Sequence, residues 1–368
     1  MITLDHLRRF AVANSLFAPT TLPGAFDKLG FVQADPIRAP ARAQDLVLRH
    51  RVTGYRAGDL ERRYADLGVE EDFFVTYGFV TRSLQALMHP RPDVRVPAEG
   101  HRPWSAARRK RAQLLLEFVR ERGAVRPREV DEHFSHGSVK NYWGGSSNAT
   151  THLLDAMHYR GLLRVARREN GIRIYSAHQH AAGPADEAAR SARIDALVDA
   201  IARIYAPLPA SSLSTFVSRL RFAVPQWHSE LKTALRRARE RLSHAHVDGE
   251  DWYWSAGKDA AHSDAQDAVR LLAPFDPVVR DRARFELLWG WEYRFEAYTK
   301  PHKRKLGYYA LPLLWRDRVI GWGNLAVKDG VLRTEFGYVE PGPPRDRAFK
   351  RELEAEVDRV RTFLGLET

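Results

Sequence analysis

The chain has 368 residues, 44% of them hydrophobic, and its 58 Lys and Arg against 46 Asp and Glu leave a formal charge of +12. The lack of cysteine excludes disulfides, thiol catalysis, iron–sulfur clusters and every Cys-ligated zinc site. No apolar run approaches the ~20 residues of a membrane span and none at the N-terminus resembles a signal peptide, so a cytoplasmic protein with a polyanionic partner is expected.

In chain order, residues 3–16 carry Leu4, Leu7, Phe10, Val12 and Leu16 near one helical stripe, with Thr3 as N-cap. A short helical pattern from Thr21 to Leu29 is closed by Gly30, and another runs from Ala41 to Arg51. Between them lies Phe31-Val32-Gln33-Ala34-Asp35-Pro36-Ile37, where polar groups interrupt an apolar run. As a strand it puts Phe31, Gln33, Asp35 and Ile37 on one side, with Gln33 and Asp35 roughly 7 Å apart. Pro36 stiffens Asp35 toward extended backbone. The amide and carboxylate could aim at a ligand; Asp before Pro equally starts a turn. Val69–Thr81 reads as strand-like, and the Pro-rich run His89–Pro103 as a linker.

Ser105–Arg122 and Pro127–Phe134 read as helices, and Asn148–Arg160 as a third, ended by Gly161. A hairpin follows, Leu162–Arg167 and Ile172–Ser176 around Asn170-Gly171. Three helices and a two-stranded wing form a winged helix. The order recurs with helices Ala192–Tyr205, Ser211–Leu220 and Pro225–Leu242, and a hairpin about Asp248-Gly249. The first hundred residues suit a third, degenerate copy. Strands are predicted at Phe285–Tyr298, Leu306–Trp315, Val319–Lys328 and Val331–Glu340, then a helix at Arg345–Leu364. The expected fold is α+β: tandem winged helices at 1–100, 101–182 and 183–262, then a β-rich domain at 263–368 with a terminal helix.

A winged helix lays its third helix in the major groove. Here that helix opens with Ser146, Ser147, Asn148, Thr150 and Thr151, short donors suited to phosphates. The wing adds Arg167, Arg168 and Arg173, and the approach helix Arg108, Arg109, Lys110 and Arg111. A basic tip, Lys300, Lys303, Arg304 and Lys305 around Pro301 and His302, sits between two aromatic strands and is expected to grip phosphates. The bland alternative is a solvated basic face. His178/His180, His244/His246 and His133/His136 lack a recognised ligand pattern, and no Walker loop, Gly-x-Gly-x-x-Gly, Gly-x-Ser-x-Gly or His-Glu-x-x-His string occurs, so no metal and no cofactor is expected.

Gln33-Ala-Asp35, the run from Asn148 to Val165, Pro274-Phe-Asp-Pro and the run from Lys303 to Trp315 resemble the YcaQ/AlkX-type crosslink-repair DNA glycosylases, nearly end to end. Gln-x-Asp matches that branch; the related AlkZ branch has Gln-x-Gln. The resemblance implies tandem winged helices and a β-rich C-terminal part. It also implies removal of N7-alkylated guanine from double-stranded DNA, unhooking of interstrand crosslinks, and Gln33 and Asp35 as the catalytic pair. A nucleoid-associated monomer is the accompanying expectation. The rival reading is a non-enzymatic winged-helix regulator in which Gln33 and Asp35 only shape a turn.

Overall fold

The computed structural model describes residues 2–91, 104–134, 137–140, 146–262 and 266–366. Most of the expected 89–103 linker lies outside them. The residues group into two units, each discontinuous in sequence: Met1–Leu60 with Val198–Val217 and Leu235–Thr368, and Glu61–Leu197 with Ser218–Ala234.

In the first unit, helix Leu4–Ser15 is capped by Thr3, whose hydroxyl accepts the His6 N–H. Its apolar stripe serves two cores. Val12 packs with Leu272, Val278, Phe285 and Leu314; Leu7, Phe10 and Ala11 pack with Trp252, Trp254 and Leu288. Helix Leu22–Leu29 begins at Thr21 and stops at Gly30, whose φ of +70° suits a residue without Cβ. Strand Phe31–Gln33 and helix Ala43–Leu48 follow.

Two three-stranded sheets share one strand order. In the second unit, Ala124–Val125 pairs with Ile172–Ala177, which pairs with Leu163–Glu169. In the first, Leu208–Pro209 pairs with Glu250–Trp254, which pairs with Ser243–Val247. Both hairpins turn on the expected dipeptides, Asn170-Gly171 and Asp248-Gly249, all four residues at positive φ. Helices Ala106–Arg122, Pro127–Phe134 and Ala149–Tyr159 precede the former. Before the latter come Glu187–Tyr205 and Ala210–Arg219, and the expected third helix is split into a 3-10 turn, Pro225–Glu230, and helix Leu231–Arg241, with Trp227 at non-helical angles. A four-stranded antiparallel sheet, Val269–Leu271, Leu311–Trp315, Arg318–Lys328 and Val331–Tyr338, then leads to helix Arg347–Leu364.

The strand expected at Phe285–Tyr298 is corrected. Arg282–Trp289 is a helix, begun by the Asp281 side chain and ended by Gly290 at φ +77°. Residues 291–298 join no sheet; Tyr293 instead donates its hydroxyl to the Ala310 carbonyl at 2.7 Å. Alternating aromatics here line a core without a ladder.

One buried ion pair fixes this unit. Arg51 grips Asp276 through two hydrogen bonds of 2.8 and 3.0 Å, both side chains fully buried, and also donates to the Ser15 and Val47 carbonyls. Removing one partner of such a pair strands a charge in the core, at a cost of about 3–5 kcal/mol. Arg51→Ala and Asp276→Ala are each expected to lower unfolding stability by that order in denaturant titration.

Candidate active site

The strand carrying Gln33 stops there. Asp35 does not continue it, which corrects the expectation of one extended face. It sits in a turn of its own, Oδ1 accepting the Ile37 N–H at 2.9 Å, while its N–H donates to the buried Gln44 amide oxygen at 3.4 Å. The turn reading left open by the sequence is thus the geometry found, yet it occupies one carboxylate oxygen. Asp35 is half-exposed. Burial raises its pKa above that of an ordinary aspartate, and the Ile37 N–H only partly opposes this.

Gln33 is held from the other side. Arg280 Nη1 donates to its Oε1. A guanidinium can only donate, so the amide oxygen is committed and the NH2 end is the one that can meet a ligand. Arg280 is delivered by the Pro274–Pro277 turn: its N–H bonds the Asp276 carbonyl at 2.8 Å, and the Asp276 carboxylate is the one that Arg51 holds. The guanidinium also lies 6.0 Å from the Phe216 ring centroid.

Tyrosines stand near Asp35. Both Tyr298 and Tyr309 have pKa values raised by burial and then by the Asp35 charge. Tyr298 is 80% exposed, its ring edge-on to Phe295, which meets Tyr309 and Phe275 in the same manner. Such a surface offers stacking area to a base.

Directly after Tyr298 comes the basic segment, and it is not a hairpin. Pro301–Lys303 is a single 3-10 turn, and neither flank, Phe295–Tyr298 nor Leu306–Tyr309, is a strand. The loop is closed by the buried Glu296 carboxylate, which accepts the N–H groups of Lys305, Leu306 and Gly307 at 2.7–3.2 Å. Burial alone would raise Glu296; those three amides hold it below its ordinary range. Gly307, at φ +123°, leaves room for Asn324: a Cβ there would lie 2.3 Å from its Oδ1. Lys300, Lys303 and Lys305 are exposed, and Arg304 half-buried over Tyr308.

The other expected contacts are placed differently. Arg168 makes an ion pair with the fully buried Glu71 at 2.6 Å; Arg173 bonds Asp155 at 2.8 Å and covers Tyr77. These two charges are compensated inside the second unit. Arg167 is exposed and pairs with Glu169. The Asn148 side chain caps its own helix by accepting the Thr151 N–H, and buried Thr150 donates to Asp131. Arg109, Lys110 and Arg111 are exposed, while Arg108 lies over Trp104. The Ser147 side chain and His136 lie outside what is described. His180 stacks on His89 at 3.8 Å, and His133 stacks on Phe118 at 4.6 Å. Among the described residues no group of three or more His, Asp or Glu is arranged to hold a metal, and no helix is long and apolar enough to cross a membrane.

Residues 26–363 match the model of the family described as DNA glycosylase AlkZ-like. The chain belongs to the AlkZ-like DNA glycosylase family. The fold agrees: the DNA glycosylase AlkZ of Streptomyces sahachiroi superposes with a TM-score of 0.64 over 99% of this chain and 97% of its own, at 14% identity. The matched span contains Gln33, Asp35 and Arg280.

Sequence reasoning missed Arg280, Glu296, Tyr298 and Tyr309. Arg280 had one pointer, its place three residues beyond Pro274-Phe-Asp-Pro. Arg280→Ala frees the Gln33 amide to rotate. We expect base release from DNA, followed in single turnover, to slow by about 10-fold, the worth of one charge-assisted hydrogen bond, with DNA affinity retained.

Proposed function

We propose that this chain is a monofunctional DNA glycosylase that hydrolyses the N-glycosidic bond of N7-alkylated guanine, crosslinked guanines included, with Asp35 and Gln33 at the reacting centre and no metal or cofactor in the reaction. The observation that carries this reading is a half-exposed carboxylate, one oxygen committed to a turn, two residues beyond an amide whose oxygen is held by Arg280.

An N7-alkylated guanine is already cationic and leaves with its electron pair, so no strong acid is required. What the protein must supply is negative charge beside the sugar as it turns oxocarbenium-like, and a base for the attacking water. Asp35 meets both needs. Gln33, its oxygen engaged, donates to the water and fixes its direction. A raised carboxylate pKa makes Asp35 a better proton acceptor than an ordinary aspartate. A crosslinked base is tethered to the opposite strand, so a sealed pocket of the base-flipping kind would not admit it. A half-exposed acid with an exposed tyrosine near it fits such a substrate better.

Asp35→Asn is expected to retain affinity for duplex DNA and to lose at least ~100-fold in base release from 7-methylguanine DNA, the usual worth of a general base; release near the wild-type rate would remove Asp35 from the mechanism. The same shift sets a stability sign. The folded pKa lies above the unfolded one, so ionised Asp35 destabilises the fold above its folded pKa, and this is relieved as pH falls through it. Asp35→Asn should therefore unfold at neutral pH no earlier than wild type in a thermal melt.

Lys303, Arg304 and Lys305 are read as phosphate contacts. Replacing all three with Ala should weaken binding and reduce the slope of log K against log salt by up to roughly 0.9 per lost contact. An unchanged slope would leave the loop without a role in gripping DNA.

A further inference from the structure

We infer that Tyr298 is a stacking residue for an unpaired nucleobase, so that the loop it opens binds DNA by a base as well as by phosphates. The inference deepens the reading of that loop as a grip on DNA and is independent of the role given to Asp35.

Exposure alone argues little, since single apolar side chains on a surface are ordinary. Three further observations set Tyr298 apart. First, its backbone is held. It lies inside a turn in which the Thr299 N–H donates to the Glu296 carbonyl at 2.9 Å. The buried carboxylate of the same Glu296 accepts the Lys305, Leu306 and Gly307 N–H groups. One residue thus anchors both ends of the loop, and Tyr298 stands two residues from it, at most about 7.6 Å along the chain.

Second, the ring is supported without being covered. Phe295 meets it edge-on, with centroids 6.1 Å apart and planes at 77°, while Tyr298 keeps 80% of its surface in solvent. Phe295 is itself packed edge-on against Phe275 and Tyr309, at 5.2 and 5.3 Å. Third, the charge around it has one sign. Residues 297–308 carry Lys300, Lys303, Arg304 and Lys305 and no acid. The three lysines are exposed. Arg304 is pinned instead, donating to the Thr299 carbonyl at 2.8 Å and lying over the Tyr308 ring at 5.0 Å.

An open aromatic plane on a fixed backbone, followed by exposed cations, suits single-stranded nucleic acid: the ring takes a base face and the cations take phosphates. Inside a paired duplex the base faces are already stacked on one another. A base without a partner is the one free to meet Tyr298.

Affinity is measured by fluorescence anisotropy, as a function of salt, for a paired duplex and for the same duplex with one unpaired thymine. Wild type is expected to favour the second by about 10-fold, within what one base–aromatic stack supplies. Tyr298→Leu keeps apolar bulk and loses the flat ring; it should abolish that preference and leave the melting temperature and the salt slope as they were. Tyr298→Phe should keep the preference. Equal affinity of wild type for the two DNAs overturns the assignment, as does a preference that survives Tyr298→Leu, an equal loss on both DNAs, or a Tyr298→Phe variant that behaves like Tyr298→Leu. The triple Ala replacement of Lys303, Arg304 and Lys305 is run in parallel. If it leaves the salt slope unchanged while Tyr298→Leu removes the preference, the phosphate reading of the loop fails and the stacking assignment stands. If the slope falls and the preference persists in Tyr298→Leu, the Tyr298 assignment alone is wrong.

Discussion

The site depends on a charge pair that never meets solvent. Arg51 and Asp276 neutralise one another inside the first unit, and their bonds join the end of helix Ala43–Leu48 to the turn that begins at Pro274. That turn presents Arg280, and Arg280 commits the Gln33 amide oxygen. Segments more than two hundred residues apart in the chain, Gln33 and Arg280, are thereby held in one geometry. A buried ion pair contributes little net stability over a well-packed apolar alternative. Its value lies in direction: one bidentate pair of hydrogen bonds admits one arrangement of the turn, where apolar packing would tolerate several.

A similar device recurs in the second unit with another outcome. Strand Val69–Phe73 buries Glu70, Glu71 and Asp72 in succession, and arginines come to them: Arg82 and Arg164 to Glu70, Arg168 to Glu71, Arg91 to Asp72. Burial alone would raise Asp72, yet Arg91 and His89 hold it well below its ordinary range. A basic wing read from sequence as a surface for phosphates is therefore partly internal wiring. Net charge counts arginines without saying which are already matched.

Legibility followed the range of the interaction. Helix ends signalled by Thr3, Thr21, Gly30 and Ser105, and hairpins signalled by Asn170-Gly171 and Asp248-Gly249, depend on neighbours a few residues away, and they form where the sequence puts them. The Phe285–Tyr298 segment misled because alternating aromatics have the period of a strand, whereas the Asp281 cap and Gly290 had already set a helix there. At the site, Gln33 and Asp35 stood out as polar residues in an apolar run, and the turn at Asp35 was one of two readings. Arg280 and the Glu296 closure were invisible for a common reason: each acts through a partner outside its own helix or strand, and such a partner leaves no local pattern.

The closure of the 296–307 loop by one carboxylate has an evolutionary corollary. In a paired ribbon, an insertion at the tip slips the register of both arms and turns every side chain to the opposite face. Here the two ends are clasped side chain to backbone, so residues between them can be added, removed or recharged without disturbing the clasp. The part of the molecule best placed to vary among lineages is then this basic loop, and its variation need not wait on changes to the framework.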